Sequence, residues 1–309
     1  MKKLITALLS AAIALGAAPA GAYALDPLHT ATVDGVTYSF AVSDGNAEIT
    51  SVSGAAGEIT IPSELEGFKV TSIGDKAFFG QTALGFVYFP DSLENIGQLA
   101  FAGCTAMDQL AVPNNVRTIG DSAFMGCTSL VFASVGDGVT VIPDDCFFSC
   151  PSLREVYLPS KLERIGSEAF FGCPELDTLI PETVTEIGYN ALGYTTSAHS
   201  SYSTQVDGFI VGGKVGSAAE TYASENGFDF LDPDNYLAGD VNKDGRVDAK
   251  DASAVLAEYS RASTGAELTF TPWQRYVGDI KPDMVIDAND ASRILIEYAR
   301  LSTMSDSAL

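Results

Sequence analysis

A repeat of 23 residues lies in the middle of this chain and restricts its fold more than any other feature. An isoleucine recurs at spacings of 23, 23, 23, 23 and 22 residues, at Ile73, Ile96, Ile119, Ile142, Ile165 and Ile187. Five residues after each isoleucine a large apolar residue recurs, at Phe78, Phe101, Phe124, Phe147, Phe170 and Leu192. Independent columns that share one period of roughly 20 to 29 residues predict a solenoid, in which each repeat adds one coil to a continuous core.

The alternation of apolar and polar residues within a repeat predicts one main strand per coil. In the segment 153–158, we expect Leu153, Val156 and Leu158 to face the core and the residues between them to face outward. Neighbouring coils would then place parallel strands about 4.8 Å apart. A second short strand is expected at residues 116–119 and their equivalents. The last coil is one residue shorter between Leu176 and Pro181 than the coil before it, which predicts a local distortion.

The repeat pattern L-x-x-I-G-x-x-A-F-x-G-C-x-x-L resembles the BspA-like class of leucine-rich repeats over residues 68–195. The resemblance implies a mainly β leucine-rich repeat solenoid with parallel sheets of short strands, in about five to six coils of 23 residues. A solenoid needs a cap at each end. Residues 25–67 read as an N-terminal β cap built on a hairpin. Residues 196–232 read as a C-terminal cap with strand, helix and strand, preceded by an exposed excursion near residues 195–204.

Four of the five cysteines follow the repeat, at Cys104, Cys127, Cys150 and Cys173, whereas Cys146 does not. In a secreted chain such cysteines invite a disulfide interpretation. We favour a buried ladder of thiols, because parallel side chains in register lack the usual disulfide torsion.

The first 24 residues have the form of a secretory signal peptide. Lys2 and Lys3 precede an apolar run over residues 4–18, which is short for a membrane span, and a small-x-small motif ends at Ala24. We therefore expect a secreted, extracellular protein with no membrane insertion after the signal is removed. An uncleaved anchor, the alternative, would need a longer apolar run.

The charge balance narrows the range of partners. The chain has 40 acidic and 17 basic residues, a formal net charge of −23 and only two histidines. Nucleic acid and anionic membrane surfaces would be repelled, so neither is expected as a partner. The two histidines lie near no other catalytic or metal-binding pattern, which makes Ser–His and zinc chemistry improbable.

The segment 240–251 has the pattern of an EF-hand calcium loop. A glycine, Gly245, stands at loop position 6, where the chain must turn sharply. Oxygen ligands are expected at positions 1, 3, 5, 9 and 12 and from the carbonyl at position 7, namely Asp240, Asn242, Asp244, Asp248, Asp251 and Arg246. Such a set suits a hard cation, which takes six to eight oxygens.

A second copy of the loop and its helix follows 39 residues later, since residues 286–298 match residues 247–259. Two loop–helix halves with aspartate at position 12 resemble a type I dockerin over residues 237–302, a small all-α calcium-binding domain. The resemblance implies docking to a cohesin module of a scaffoldin, and so a cellulosome component with a part in polysaccharide catabolism.

The second loop departs from the pattern. Its ligands would be Asp279, Asp283, the Val285 carbonyl, Asp287 and Asp290. Lys281 stands at position 3 and Met284 replaces the glycine at position 6. An ammonium group repels the cation and removes a ligand, so we expect one strong calcium site and a second site weakened by Lys281.

The dockerin resemblance also implies which residues contact the cohesin. They follow loop position 9 and continue on the next helix, at Ala249, Lys250, Leu256 and Ala257 in the first half and Ala288, Asn289, Leu295 and Ile296 in the second. Core packing is the alternative role for Leu256 and Leu295.

The outward positions of the main strands include four aromatic residues, Phe86, Tyr88, Phe132 and Tyr157, which we assign to a ligand face unless a cap covers them. The expected function is a non-catalytic interaction protein, with the dockerin on a scaffold and the repeat face on a protein or plant cell-wall glycan. A glycoside hydrolase-associated enzyme and a free-standing adhesin are the alternatives. The regular repeat has no long insertion to build a catalytic pocket, so we expect no enzymatic activity.

Overall fold

The computed structural model describes residues 28–196, 203–233, 237–242, 245–266, 269–270, 272–280 and 286–305. The predicted signal peptide, residues 1–24, lies outside these ranges. Within them, no helix combines the length and the apolar character that crossing a membrane requires.

Three antiparallel strands begin the described chain: β1 (His29–Val33), β2 (Val36–Ser43) and β3 (Asn46–Ser53). Two Asp-Gly turns, at residues 34–35 and 44–45, join them, and all four turn residues have positive φ, as type I′ hairpins require. The N-terminal cap is thus a three-stranded meander rather than the single hairpin expected. β3 pairs in parallel with β6 and connects the cap to the coils.

The coils follow in two strand sets. The strands in chain order are β4 (Gly57–Thr60), β5 (Glu64–Leu65), β6 (Phe68–Ile73), β7 (Leu84–Tyr88), β8 (Asn95–Ile96), β9 (Gln109–Val112), β10 (Thr118–Ile119), β11 (Phe132–Val135), β12 (Val141–Ile142), β13 (Glu155–Tyr157), β14 (Arg164–Ile165) and β15 (Glu186–Ile187). The main strands pair in parallel as β4 with β7, β9 with β11, and β11 with β13. The short strands pair in parallel as β6–β8–β10 and β12–β14–β15. One main and one short strand in each coil before the last confirm the alternation pattern.

A ladder of phenylalanine rings forms the centre of the solenoid. Rings of successive coils stack with centroids 4.7–5.5 Å apart from Phe78 to Phe170, and each ring is fully buried. All five cysteines are unpaired and buried, which confirms the thiol ladder. The thiol of Cys127, for example, donates a hydrogen bond to the Phe101 carbonyl of the preceding coil at 3.4 Å.

Glycine follows five of the six repeat isoleucines, Pro143 being the exception, and most of these glycines have no room for a side chain. A Cβ added at Gly120 would lie 2.4 Å from the backbone nitrogen of Gln98 in the preceding coil, closer than side chains tolerate. The column therefore marks where the backbones of successive coils touch.

The last coil is distorted, as its missing residue predicts. Its main strand is reduced to isolated bridges, from Asp177 to Glu155 and from Leu179 to Gly212. The elements that follow are β16 (Tyr194–Thr196), β17 (Ser203–Gln205), β18 (Ile210–Gly212), α1 (Ala218–Asn226) and β19 (Asp229–Leu231). β18, α1 and β19 give the strand, helix and strand expected of the C-terminal cap.

The described residues of the C-terminal module contain three helices: α2 (Ala249–Thr264), α3 (Pro272–Gly278) and α4 (Ala288–Ser305). The two predicted loop-following helices are present, and α3 is a further helix directly before the second loop. Val255 of α2 and Ile294 of α4, both fully buried, lie in a small core of their own. Leu231 of β19 belongs to the same core, so the cap and the module are in contact.

Candidate functional site

In the first predicted calcium loop, residues 240–251, two carboxylates accept hydrogen bonds from backbone N–H groups of the loop. Asp240 Oδ2 accepts the Gly245 N–H at 2.9 Å. The carboxylate of Asp251 accepts the N–H groups of Asn242 at 3.3 Å and Asp248 at 2.9 Å. Asp240 is 6% exposed and Asp251 is fully buried. Loop positions 1 and 12 are therefore folded inward, where a ligand set for one ion would need them.

Asp248 and Asp251 also start α2. Asp248 is the N-cap residue, and its side chain accepts the Lys250 N–H at 2.7 Å. Asp251 completes a capping box by accepting the Asp248 N–H. The same two carboxylates thus have a helix-capping role beside the predicted role as ligands.

Burial raises the pKa of Asp251, and the charges of Asp240 and Asp248 raise it further against the N–H groups that lower it. Three carboxylates close enough to repel one another, two of them buried, are unfavourable unless a cation or protons compensate. Carboxylate oxygens are the donors that calcium prefers, so the chemistry of these side chains suits the ion.

The second half repeats the helix start. Asp287 Oδ1 accepts the Asn289 N–H at 2.6 Å, and Asp290 Oδ2 accepts the Asp287 N–H at 2.9 Å. Asp290 is 1% exposed, like its counterpart Asp251, and Asp279 is half-buried.

The remaining predicted calcium ligands are either exposed or outside the described residues. Arg246, whose carbonyl was assigned to position 7, is exposed. Asp244 of the first loop, together with Lys281, Asp283, Met284 and Val285 of the second, lies outside the described residues. Among the residues that are described, no group of three or more His, Cys, Asp or Glu side chains has a metal-binding arrangement.

The residues assigned to cohesin contact lie on the surface. Leu256 and Leu295 are each 43% exposed and Ile296 is 67% exposed, so core packing does not describe them. The remaining members of the set are also exposed: Ala249, Lys250, Ala257, Ala288 and Asn289. The side chains of Val255 and Ile294, one residue before the two leucines, form the core instead.

Glu258 is a structural residue that the sequence analysis missed. It is 2% exposed, and its carboxylate accepts the N–H groups of Thr269 and Phe270 at 2.9–3.0 Å and the Thr269 hydroxyl at 2.9 Å. Burial raises its pKa, but these donors outweigh burial and lower the pKa overall. It fixes the segment after α2. The only sequence signal was the repeated Glu-Tyr pair, at residues 258–259 and 297–298.

The outward face of the main strands, here called the aromatic face, carries two similar groups. In the first, Phe86 and Tyr88 meet edge to face with centroids 4.7 Å apart, and the Tyr88 hydroxyl donates to Glu58 at 3.4 Å. In the second, the rings of Phe132 and Tyr157 lie 5.5 Å apart at 59°.

Tyr88 and Tyr157 are 51% and 56% exposed and Phe86 and Phe132 are half-buried, so the described parts of the caps leave this face open. A hydrogen bond to Glu155 raises the pKa of Tyr157. Each group therefore combines a phenylalanine, a tyrosine and a glutamate.

The second group has a further carboxylate. Asp177 lies opposite Glu155 of the neighbouring coil, to which it is paired by an isolated backbone β-bridge. Asp177 is exposed as a residue, but the atoms packed around its carboxyl raise the pKa of that group. The negative charge of Glu155 raises the pKa further. The nearby Arg154 forms an ion pair with Glu175 at 2.7 Å.

Comparison with known proteins identifies the repeats. Residues 58–199 match the BspA type leucine rich repeat region in six copies. This confirms the predicted leucine-rich repeats and extends them into the segment assigned to the N-terminal cap. No curated protein matches the chain.

Two solved structures resemble part of the chain. The T. pallidum leucine-rich repeat protein TpLRR is 32% identical, with a TM-score of 0.45, over 49% of this chain and 78% of that one. A leucine rich cell surface protein from Faecalibacterium prausnitzii A2-165 is 30% identical, with a TM-score of 0.42, over 57% of this chain and 56% of its own.

Proposed function

We propose that this chain, which belongs to the BspA-type leucine-rich repeat proteins through residues 58–199, is a secreted, non-catalytic interaction protein with two binding surfaces. The aromatic face binds a protein or glycan. The C-terminal module is a calcium-dependent dockerin that binds a cohesin of a scaffoldin and so holds the protein at a cell surface or in a cellulosome.

The symmetry of the C-terminal module carries the dockerin proposal. Each half has a buried aspartate at loop position 12, Asp251 and Asp290, which accepts the backbone N–H of the position-9 aspartate. Each half also exposes a leucine at the same helical position, Leu256 and Leu295, to the same extent of 43%. Exposed apolar residues on a stable helix favour a protein partner.

Calcium would supply charge neutralisation between the two ends of each loop. Asp240, Asn242, Asp244, the Arg246 carbonyl, Asp248 and Asp251 would hold it in the first loop. The chain's own contribution is to fix the starts of α2 and α4, which sets the exposed leucines in one orientation relative to each other.

Cohesin capture tests this proposal. We expect the full-length mature protein to bind an immobilised cohesin from a type I panel in calcium and to be released by a chelator. Leu256→Ser with Leu295→Ser should abolish capture without changing the helical circular dichroism. Val131→Ser, which removes a solenoid side chain that is also 43% exposed, should leave capture intact. Capture of none of the cohesins by the calcium-loaded protein would reject the dockerin proposal and favour an adhesin.

Calorimetry of the two loops tests the inequality of the sites. Asp240→Ala with Asp244→Ala should abolish or greatly weaken calcium and cohesin binding. Asp279→Ala with Asp283→Ala should cost less, because Lys281 already compromises that loop. Two equally tight calcium sites in the unmodified protein would refute the inequality.

A further inference from the structure

The aromatic face carries the same combination of side chains twice. Each group has one phenylalanine, one tyrosine and one glutamate: Phe86, Tyr88 and Glu58 in the first, where the Tyr88 hydroxyl donates to Glu58, and Phe132, Tyr157 and Glu155 in the second, where Glu155 lies opposite Phe132. The residues of each group lie on two adjacent strands, β4 with β7 and β11 with β13.

We propose that the two groups are cation sites that hold two lysine or arginine side chains of one extended segment of a partner protein. The inference rests on the proposed function of the aromatic face and narrows its ligand to a basic protein segment. Aromatic ring faces attract ammonium and guanidinium groups within about 6 Å. The glutamate in each group supplies a charge-assisted hydrogen bond to the same cation.

The electrostatics of the face favour a cation from outside. Glu155 and Asp177 lie side by side on neighbouring coils, and like charges directly opposite are destabilising. Arg154, the nearest basic residue in sequence, is directed to Glu175 instead. In the part of the chain that the structure describes, no basic side chain forms an ion pair with Glu58, Glu155 or Asp177.

The ring geometry argues against a sugar as the main ligand. A pyranose stacks on a flat, open ring face. The paired rings here are inclined at 67° in the first group and 59° in the second, so neither pair presents one flat platform. Inclined rings beside a carboxylate suit the charged end of a lysine or arginine side chain better than the flat face of a sugar ring.

The spacing of the groups sets the spacing of the cations. Tyr88 lies on β7 and Tyr157 on β13, with β9 and β11 between them. β9 pairs with β11, and the Asp108 N–H donates to the Gly85 carbonyl next to β7 at 3.3 Å. Three strand steps of about 4.8 Å give about 14 Å between the tyrosines.

An extended peptide covers that distance in about four residues and presents alternate side chains on one face. The expected motif is therefore two basic residues four positions apart, on a segment that crosses the strands. The residues between the groups, Ala111 and Ser134, are small and leave room for its backbone.

Titration of the full-length mature protein with synthetic peptides tests the proposal. The first probe is a nine-residue Gly/Ser peptide with two lysines four positions apart, and the second has the same composition with adjacent lysines. We expect the first to bind tighter, by on the order of tenfold. Equal affinity for both peptides would overturn the two-site assignment.

Paired variants separate recognition from net charge. Glu58→Gln with Glu155→Gln should lower the affinity for the first peptide by on the order of tenfold. Glu94→Gln with Glu163→Gln removes two exposed acidic charges beside the short strands instead, and it should leave affinity nearly unchanged. Tyr88→Leu with Tyr157→Leu keeps apolar bulk but removes the rings, and it should weaken binding as much as the glutamate pair. Equal losses from both glutamate pairs would mean non-specific attraction and reject the proposal.

A glycan arm distinguishes this inference from the broader function. The face is a glycan site if cello-oligosaccharides bind to it and if the tyrosine variants abolish that binding while the glutamate variants do not. The cation assignment then fails while the binding function of the face stands. If neither peptides, glycans nor extracellular proteins bind the face, both fail.

Discussion

The solenoid and the C-terminal module stabilise themselves in different ways. The solenoid has one continuous core from Val36 to Ala223, in which each coil repeats the contacts of the coil before it. The module has eight buried apolar residues among those described, which Leu231 of the cap joins, and four of its carboxylates are buried as well: Asp240, Asp251, Glu258 and Asp290. Buried acids are unfavourable unless hydrogen bonds, protons or a cation compensate them, so we expect the stability of the module to respond to calcium and that of the phenylalanine stack not to.

Removal of calcium should produce the largest effect and should divide the molecule in two. We expect a chelator to unfold residues 237–302 and to leave the solenoid intact, because the acidic loops repel themselves without the ion. The single tryptophan, Trp273, is in the module. Its fluorescence should therefore change on chelation, while the β circular dichroism signal persists.

Two results would contradict this division. One is a Trp273 melting curve that is the same with calcium and with chelator. The other is loss of the β signal together with the fluorescence change, which would mean that the contact through Leu231 couples the two regions into one cooperative unit.

A cavity in the phenylalanine ladder should destabilise the solenoid and leave the C-terminal module unchanged, the opposite of the effect expected from a chelator. Phe124 stacks between Phe101 and Phe147 with both centroids 5.5 Å away. Phe124→Ala should lower the free energy of unfolding of the solenoid by about 3–5 kcal/mol. Urea unfolding followed by β circular dichroism measures this, with Trp273 fluorescence as the internal reference for the module.

Met125→Ala is the matched control, because Met125 is next in sequence but 38% exposed. We expect it to cost far less than Phe124→Ala. Equal losses would show that the ladder is not where the stability of the solenoid resides.

The thiol ladder should contribute less than the rings. Cys127→Ala removes a hydrogen bond to the Phe101 carbonyl and a small buried volume, so we expect a loss of about 1–2 kcal/mol. Burial raises the pKa of Cys104 and of Cys173 to about 12. The native thiols should therefore resist a thiol-specific reagent at mildly alkaline pH, whereas all five should react in denaturant. Rapid labelling of the native protein would contradict the buried ladder.

The repeat made the solenoid predictable because periodic columns report one contact many times. The Ile-Gly column marked the close approach of coils, since a Cβ at Gly120 would collide with Gln98. The phenylalanine column marked the ring stack, and the missing residue after Leu176 marked the distorted coil. The loop-following helices were predictable in the same way, because residues 247–259 and 286–298 match.

Features that occur once left no such signal. Glu258 has a repeated counterpart, Glu297, yet only Glu258 is buried by the segment that follows it; Glu297 pairs with Arg300 instead. The exposure of Leu256 depends on which helix face meets α4, which local sequence does not specify. The two Phe–Tyr–Glu groups combine residues from different repeats, so they become visible only when strand register places Glu58 beside Phe86.

The smallest expected effect is a stabilisation, and it links the aromatic face to the solenoid beneath it. Packing around its carboxyl and the Glu155 charge raise the pKa of Asp177, so the ionised form is less favourable in the folded than in the unfolded state. Asp177→Asn should therefore raise the free energy of unfolding at neutral pH by about 0.2–1 kcal/mol, the range of an exposed charge pair. Because a raised folded pKa makes the native state gain stability as pH falls through it, the advantage of the variant should shrink on acidification. Glu175→Gln, which instead breaks the exposed ion pair with Arg154, should not stabilise. Urea unfolding of the three proteins at neutral and acidic pH measures the difference.

If Asp177 is kept for a cationic partner rather than for the fold, the same Asp177→Asn variant should bind the lysine peptide more weakly while unfolding at higher urea, and a variant that loses stability at neutral pH would contradict this.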